Sequence, residues 1–359
     1  MKIGLYTIHS SHNVGAMLQA FALYKVLERK GAEVEFVNMY PLSEEVQNHH
    51  KTKSSLFHTI ARSLYLLAHP KIKVMERHFD DFHKELPLSK RFYSVGEYIN
   101  NPIQYDLHLV GSDQVWNLQR GFDFSRFYYL DYLPSNSVKK SYASSLGTTE
   151  GISDLDKAMK ALSSFDKLSV REDNAAIIIS KMTRKDCAHV LDPTLLLSCQ
   201  EWNQYIAKDP ILEGDYVLFY GVNSDDNTWR IISEVKTLLR CKIVGYPGPL
   251  RPNYKFDKYI LDGGPMEFVN LIRNAAAVVT SSYHGLAFSI NYNKKFILLN
   301  NSQRGERMTS LVRLLGADNH IASSPEDVSR ILRLNTGDIE KKLNQARNLS
   351  LNWIDNNLF

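Results

Sequence analysis

The sequence predicts an α/β protein made of two halves, each a parallel sheet covered by helices, with a ligand cleft between them. Three observations lead there. The chain has 359 residues, which at roughly 100–200 residues per domain corresponds to about two domains. Short apolar runs alternate with stretches of helical spacing, the pattern of βαβ units. A second set of such alternations starts after residue 197.

The elements follow in order. Residues 3–8 read as a buried strand, and 16–29 as a helix with Leu18, Ala22 and Val26 on one face. Gly31 stands where a helix end favours a residue that tolerates positive φ. Residues 34–39 are the next strand. From about 43 to 100 the alternation breaks into a helical insertion, with Leu56, Ile60, Leu64 and Leu67 in one helix and Val74, Phe79 and Phe82 in another. Strands are expected at 107–110, 140–146 and 168–170, and the first domain is expected to close near 190–197. The second half reads as strands at 216–220 and 242–245 around a helix at 226–239. A strand at 277–281, a helix at 284–292 and a strand at 296–299 come next. Helices at 305–315, about 324–333 and 338–353 complete the chain.

Composition bounds the function. Hydrophobic residues are 44% and charged residues 23%, an ordinary globular balance with enough apolar material for sizeable cores. The net charge of +4 is spread along the chain. It suits an anionic small molecule or an anionic membrane surface, and it lacks the clustered footprint of a nucleic-acid protein. Cys187, Cys199 and Cys241 include no CxxC pair, which argues against a disulfide framework or a cysteine zinc site and fits a reducing cytoplasm. The apolar run before His9 is too short for a signal peptide, and no run approaches the ~20 apolar residues that span a bilayer. A soluble protein, or one attached to a membrane face, is expected.

Ligands of open parallel sheets bind outside the carboxyl ends of the strands, so the polar stretches that follow predicted strands are the candidate sites. The first is His9-Ser10-Ser11-His12-Asn13-Val14-Gly15. It is either a helix start offering N–H groups to an anion or a simple capped turn. The second is Gly111-Ser112-Asp113-Gln114-Val115-Trp116-Asn117. Asp113, Gln114 and Asn117 supply donors and acceptors and Trp116 an apolar face, the combination that recognises a sugar. The competing reading makes Asp113 a cap and Trp116 a core residue. The third is Ser169-Val170-Arg171-Glu172-Asp173, where Arg171 either forks onto a phosphate or carboxylate or pairs with Glu172 or Asp173. The fourth is Thr280-Ser281-Ser282-Tyr283-His284-Gly285. Here His284 is a candidate acid–base group or a packed histidine, and Gly285 would admit a ligand close to the backbone. Arg304 and Arg307 bracket Gly305 downstream as an anion clamp or as solvated charges. No metal signature, Walker loop or nucleophile elbow occurs.

Together these stretches resemble the polysaccharide pyruvyl transferase family. The resemblance runs in order through Asn13-Val14-Gly15-Ala16 with Leu18-Gln19-Ala20, then Gly111 to Asn117, Ser169-Val170-Arg171-Glu172 and Asp192-Pro193-Thr194. It continues through Ser281-Ser282-Tyr283-His284-Gly285 with Ala287-Phe288-Ser289 and ends on Arg307, Leu311 and Leu314-Leu315. Tyr283 stands where an aromatic, often Phe, is usual.

The resemblance implies two Rossmann-like domains in a GT-B-like arrangement with the active site in the inter-domain cleft. Residues 1–197, with the insertion, would bind the acceptor, residues 198–335 the donor, and 336–359 would form a C-terminal helix. The donor would be phosphoenolpyruvate, a substrate; no cofactor or metal is expected. The acceptor would be a sugar on a glycan, a lipid-linked or a nucleotide-linked carrier, and nucleic acid is not an expected partner. His284 and Asp113 would be catalytic. Arg171, Arg307, Arg304, Asn13 and Gly15 would hold the donor, and Ser112, Gln114, Trp116 and Asn117 the acceptor. Lys51, Lys53, Arg62, Lys71 and Lys73 surround the helix expected at 56–68. They suit either a peripheral contact with an anionic membrane or a helix packed on the first domain. Two rival functions stand beside this reading: a glycosyltransferase using a nucleotide sugar, and a non-catalytic saccharide-binding protein.

Overall fold

The computed structural model describes residues 1–39, 67, 69–147, 154–221, 225–246, 255–300 and 305–359. Two compact units divide the chain. The first comprises Met1–Pro70, Asp80–Leu196 and Asn348–Phe359; the second comprises Lys71–Phe79 and Leu197–Arg347. Leu56, Ile60 and Leu64 of the helix expected at 56–68, and Lys51, Lys53 and Arg62 beside it, lie outside the described residues. The second helix of the insertion is Pro70–Lys84, on which Phe79 and Phe82 are buried and Val74 is exposed.

In the first unit β1 (Lys2–Tyr6), β2 (Glu33–Phe36), β3 (Leu107–Val110) and β4 (Lys139–Ser141) make a parallel sheet in the order β2-β1-β3-β4. Beyond it β5 (Leu168–Val170) and β6 (Cys187–His189) pair in parallel. Ser141 N donates to Lys167 O at 3.0 Å, which carries the ladder from β4 onto β5. The strand run expected at 140–146 therefore ends at Ser141, and Tyr142 to Leu146 form a buried connecting segment instead. The helix Val14–Arg29 starts two residues earlier than its periodicity suggested, because Asn13 caps it.

Why β1 sits inside the sheet is local chemistry. It pairs on both sides, and Ile3, Leu5 and Tyr6 are fully buried. Its interruption, Gly4, lies under the ring of Tyr105, where an added Cβ would come within 2.4 Å of Tyr105 Cδ2. Tyr105 is itself fixed by its hydroxyl, which donates to Glu35 at 2.6 Å.

In the second unit β7 (Tyr216–Tyr220), β8 (Lys242–Gly245), β9 (Lys258–Tyr259), β10 (Ala277–Thr280), β11 (Lys295–Leu299) and β12 (Ile321–Ala322) form one sheet. Its order is β12-β11-β10-β7-β8-β9, with every pairing parallel. Read from β9, that is the 3-2-1-4-5-6 order of the Rossmann fold. Trp202, Phe268 and Phe288 are fully buried in this unit, with Trp202 and Phe288 edge to face at 5.2 Å. The last helix, Gly337–Leu358, begins in this unit and ends in the first. There Ser350 Oγ accepts from Leu191 N at 2.9 Å and Trp353 lies against Tyr142 at 5.9 Å.

Gly4→Ala is expected to lower the urea midpoint by an amount equivalent to about 1–3 kcal/mol, the usual cost of overpacking a filled site. Equilibrium denaturation checks this; an unchanged midpoint would show that Tyr105 can move aside freely.

Candidate functional site

Strand order places the motifs. In the first unit the order reverses between β1 and β3. Chain connections therefore leave in opposite directions from the ends of these two strands, and a crevice opens there. The polar stretches following Tyr6 and Val110 both begin at this point, since Tyr6 and Val110 are partners in register. In the second unit the reversal falls between β7 and β10, whose last residues, Tyr220 and Thr280, are likewise paired. The histidine motif starts directly after Thr280.

At the first reversal Thr7 Oγ1 donates to Ser112 O at 2.8 Å, tying the end of β1 to the loop after β3. Gln19, fully buried, donates to Thr7 Oγ1 at 3.0 Å and to Ala16 O at 2.8 Å. Asn13 Oδ1 accepts from Gly15 N and Ala16 N at 2.9 and 3.2 Å. Asn13 is thus a helix cap whose oxygen occupies the first N–H groups, and Gly15 is buried within the helix start. The capping arrangement is thus present at this turn, with the Asn13 side chain at the surface.

The loop after β3 meets two distant segments. Arg171, with no exposed side-chain surface, donates from Nη1 to Asp192 Oδ2 at 2.6 Å and from Nη2 to Asp113 Oδ1 at 3.2 Å. Its Nε lies 3.9 Å from Glu172 Oε1, whose oxygen also accepts from Ser145 Oγ. Ser112 Oγ donates to Asp192 Oδ2 at 3.0 Å. The other Asp192 oxygen accepts from Thr194 N and Thr194 Oγ1 at 3.0 and 2.8 Å. The glycine–serine–aspartate, arginine and Asp192-Pro193-Thr194 stretches therefore converge on one buried network. Arg171 was expected to hold a donor anion or to pair at the surface. Its ion pairs lie inside the protein and not at the surface, since burial leaves a guanidinium stable only among carboxylates. Ser112 is likewise buried in the network and not exposed to an acceptor.

Asp113 differs from its partners. Its side chain retains 13% of its surface, and its backbone has φ 79°, an uncommon conformation that Asp tolerates better than most residues. Beside it, Gln114 Oε1 accepts from Asn117 Nδ2 at 2.7 Å, and Asn117 Oδ1 accepts from Gln119 N at 2.9 Å. Trp116 is fully buried, donates from Nε1 to Tyr128 O at 3.0 Å and stacks on Tyr129 at 6.1 Å. It is a core residue and offers no ring to a sugar. One residue went unnoticed in the sequence: Tyr128. Its Oη is buried without a hydrogen-bond partner among the described residues. Burial, and then the charge of Asp113, raise its pKa.

His9 and His83 stack at 5.8 Å on the same unit. His9 Nδ1 lies 2.9 Å from Thr7 O. Burial lowers the His9 pKa to about 4, with His83 adding to the shift and the Thr7 bond opposing it.

At the second reversal the helix Tyr283–Asn291 follows Ser282, which makes no side-chain cap bond. The positive end of the helix dipole therefore faces the strand ends without a capping side chain. Thr280 Oγ1 donates to Tyr220 O at 2.5 Å and accepts from Ser282 N at 3.0 Å. A Cβ on Gly285 would come within 2.2 Å of Thr280 Oγ1. Gly285 thus serves the approach of helix to strand, not that of a ligand. His284 is nearly buried and stands edge-on to Tyr283 at 5.2 Å, and the Arg307 guanidinium carbon lies 5.9 Å from the centre of the Tyr283 ring. Tyr220, packed on Phe268 at 4.7 Å, has its pKa pushed up to about 12 by burial. Arg304 lies outside the described residues. Among the described residues no group of three or more His, Cys, Asp or Glu is placed to hold a metal ion, and no helix is long and apolar enough to cross a membrane.

Two Rossmann-like units, each with a motif cluster at its topological reversal, define a fold shared with sugar-nucleotide enzymes. The UDP-N-acetylglucosamine 2-epimerase of Neisseria meningitidis, bound to UDP-GlcNAc, superposes with a TM-score of 0.52 at 10% identity, covering 99% of this chain and 100% of that one. The Methanocaldococcus jannaschii epimerase gives 0.52 at 13%, over 98% and 93%. A further UDP-N-acetylglucosamine 2-epimerase gives 0.56 at 10%, over 100% and 96%. At such identities the likeness is one of fold. A search of curated proteins returned no match. The polysaccharide pyruvyl transferase model matches residues 13–303, and the chain belongs to that family of transferases. Arg304 and Arg307 fall just beyond the matched span.

Two outcomes follow. Tyr128→Phe removes an unpaired buried hydroxyl and is expected to stabilise the protein by about 1 kcal/mol, read from the urea midpoint; a loss of stability would reveal a partner. His9 carries a pKa of about 4 when folded against 6.5 in the free side chain. The unfolded chain therefore binds the extra proton first, and stability falls as pH drops from 6.5 towards 4. His9→Gln should flatten that slope in denaturation curves across this window; an unchanged slope would assign it to other groups.

Proposed function

We propose that this transferase moves the pyruvate unit of phosphoenolpyruvate onto two hydroxyls of a sugar in a polysaccharide or its precursor, releasing phosphate. The observation that carries this reading is the position of His284 and Asp113, one at the topological reversal of each sheet, in a chain of the pyruvyl transferase family. The reaction takes place in the cytoplasm, at the inner membrane face when the acceptor is lipid-linked.

The chemistry assigns roles. Protonation of the donor's methylene carbon makes a methyl group and leaves an oxocarbenium-like centre. One sugar hydroxyl attacks that centre, the carbon–oxygen bond to phosphate breaks, and the second hydroxyl closes the ketal. Each hydroxyl gives up a proton, and the phosphate leaves with the electrons of the broken bond. His284 transfers a proton or steadies the leaving phosphate, a contribution of about 10²–10⁴-fold for a placed acid or base. Arg307 and the uncapped start of the helix Tyr283–Asn291 suit the donor's negative charge. Asp113 takes a proton from an acceptor hydroxyl, with Gln114 and Asn117 at its side.

Calorimetric titration with phosphoenolpyruvate, beside a panel of nucleotide sugars that includes UDP-GlcNAc, tests the donor. We expect saturable phosphoenolpyruvate binding that weakens in Arg307→Ala. We also expect a folded His284→Ala protein that no longer releases phosphate from phosphoenolpyruvate in the presence of a saccharide panel. Binding of a nucleotide sugar alone would make the protein a glycosyltransferase, and retained turnover in His284→Ala would remove that residue from the reaction.

A further inference from the structure

We propose that Arg171 and Asp192 are positioning residues for this site: Asp192 fixes the Arg171 guanidinium, and Arg171 fixes the Asp113 carboxylate at the end of β3. The kinetic consequence rests on the pyruvyl-transfer reading; the structural one rests on geometry alone.

The order of constraint can be read from the contacts. Asp192 is held from one side by Thr194, whose N and Oγ1 bind Oδ1 at 3.0 and 2.8 Å. Its Oδ2 faces Arg171 Nη1 at 2.6 Å and Ser112 Oγ at 3.0 Å. Ser112 is the residue before Asp113, so the network grips both the loop backbone and the guanidinium. Arg171 then reaches Asp113 Oδ1 with Nη2 at 3.2 Å. The paired nitrogens of a planar guanidinium set the angle between its two carboxylates, which a lysine ammonium would not.

The burial gradient gives the direction. Asp192 and Arg171 have no exposed side-chain surface, whereas Asp113 keeps 13%. Asp113 also has φ 79°, and Ser144, which bridges to it, directly follows Ala143 at φ 53°. Residues persist in such sparsely populated conformations only where their surroundings over-determine them, commonly at functional sites. Two simpler roles fit less well. A donor-binding arginine needs an open guanidinium edge, and the side chain of Arg171 is wholly enclosed. A purely stabilising ion pair gains little over apolar packing of the same volume, so stability alone does not account for these charges at a sheet's reversal point.

The test is Asp192→Asn, which keeps the shape and removes the charge, with the crystal structure, phosphoenolpyruvate affinity and phosphate release measured on the full chain. We expect the Asp113 carboxylate to leave Arg171 and its backbone to leave φ near 79°. We expect donor affinity to stay at the wild-type value and turnover to fall by about 10²-fold, the usual effect of misplacing a reacting group by 1 Å. In an Asp113→Asn background the same change should cost nothing further, because its effect passes through Asp113. Thr194→Val, which removes only one bond to Asp192, should act in the same direction more weakly, and it replaces Asp192→Asn if that protein does not fold. An unmoved Asp113 with wild-type turnover, or a loss confined to donor affinity, would overturn the proposal. A wild-type protein that releases no phosphate would sink the pyruvyl-transfer reading, while the Asp113 displacement would still decide the positioning one.

Discussion

A guanidinium without exposed surface, 2.6 Å from the carboxylate of Asp192, anchors the reversal point of the first sheet. Three segments of chain, around residues 112, 171 and 192, meet on it. Ser112 is fully buried, Asp113 holds a positive φ, and the Asp192-Pro193-Thr194 turn closes on its own side-chain oxygen. Removing one partner of such a pair leaves an uncompensated buried charge, at a typical cost of about 3–5 kcal/mol. The loops at this end of the sheet are therefore held by the same contact that holds the Asp113 carboxylate.

The second unit solves the same problem with less charge. Its reversal between β7 and β10 is stabilised by one hydroxyl, Thr280 Oγ1, which bonds both Tyr220 O and Ser282 N. Gly285 lets the following helix settle against that hydroxyl. His284 arrives at the strand ends as a consequence of this packing, beside Tyr283 and within one aromatic ring of Arg307. In open parallel sheets ligands bind outside the carboxyl ends of the strands, and Asp113 and His284 follow those ends by three and four residues.

Much of the fold was legible in the sequence. Strands 107–110, 168–170, 216–220 and 242–245 match the structure residue for residue, because runs of apolar residues bounded by polar turns admit few other readings. The helices Phe122–Tyr129 and Pro265–Asn274 were not marked. The first is short and aromatic, with poor helical propensity. The second opens on a Pro at its first position, a start signal passed over beside the glycines before it. β6 escaped notice since its three residues are only half-buried and show no alternation.

The candidate site was legible as a set of residues, not as an arrangement. By itself the sequence determined where polar groups follow buried strands, and so it named Asp113, Arg171, His284 and Arg307 before any coordinates. It also determined the α/β class, since hydrophobic periodicity is a local property. The tertiary structure decided which of those residues face outward. Trp116 and Arg171 turned inward, Asn13 and Gly15 became a helix start, and Tyr128 emerged beside Asp113. The reason is physical: burial and ion pairing depend on strand order and on contacts between residues some 20 to 80 positions apart, and no pattern along a single stretch of chain encodes which partners will meet.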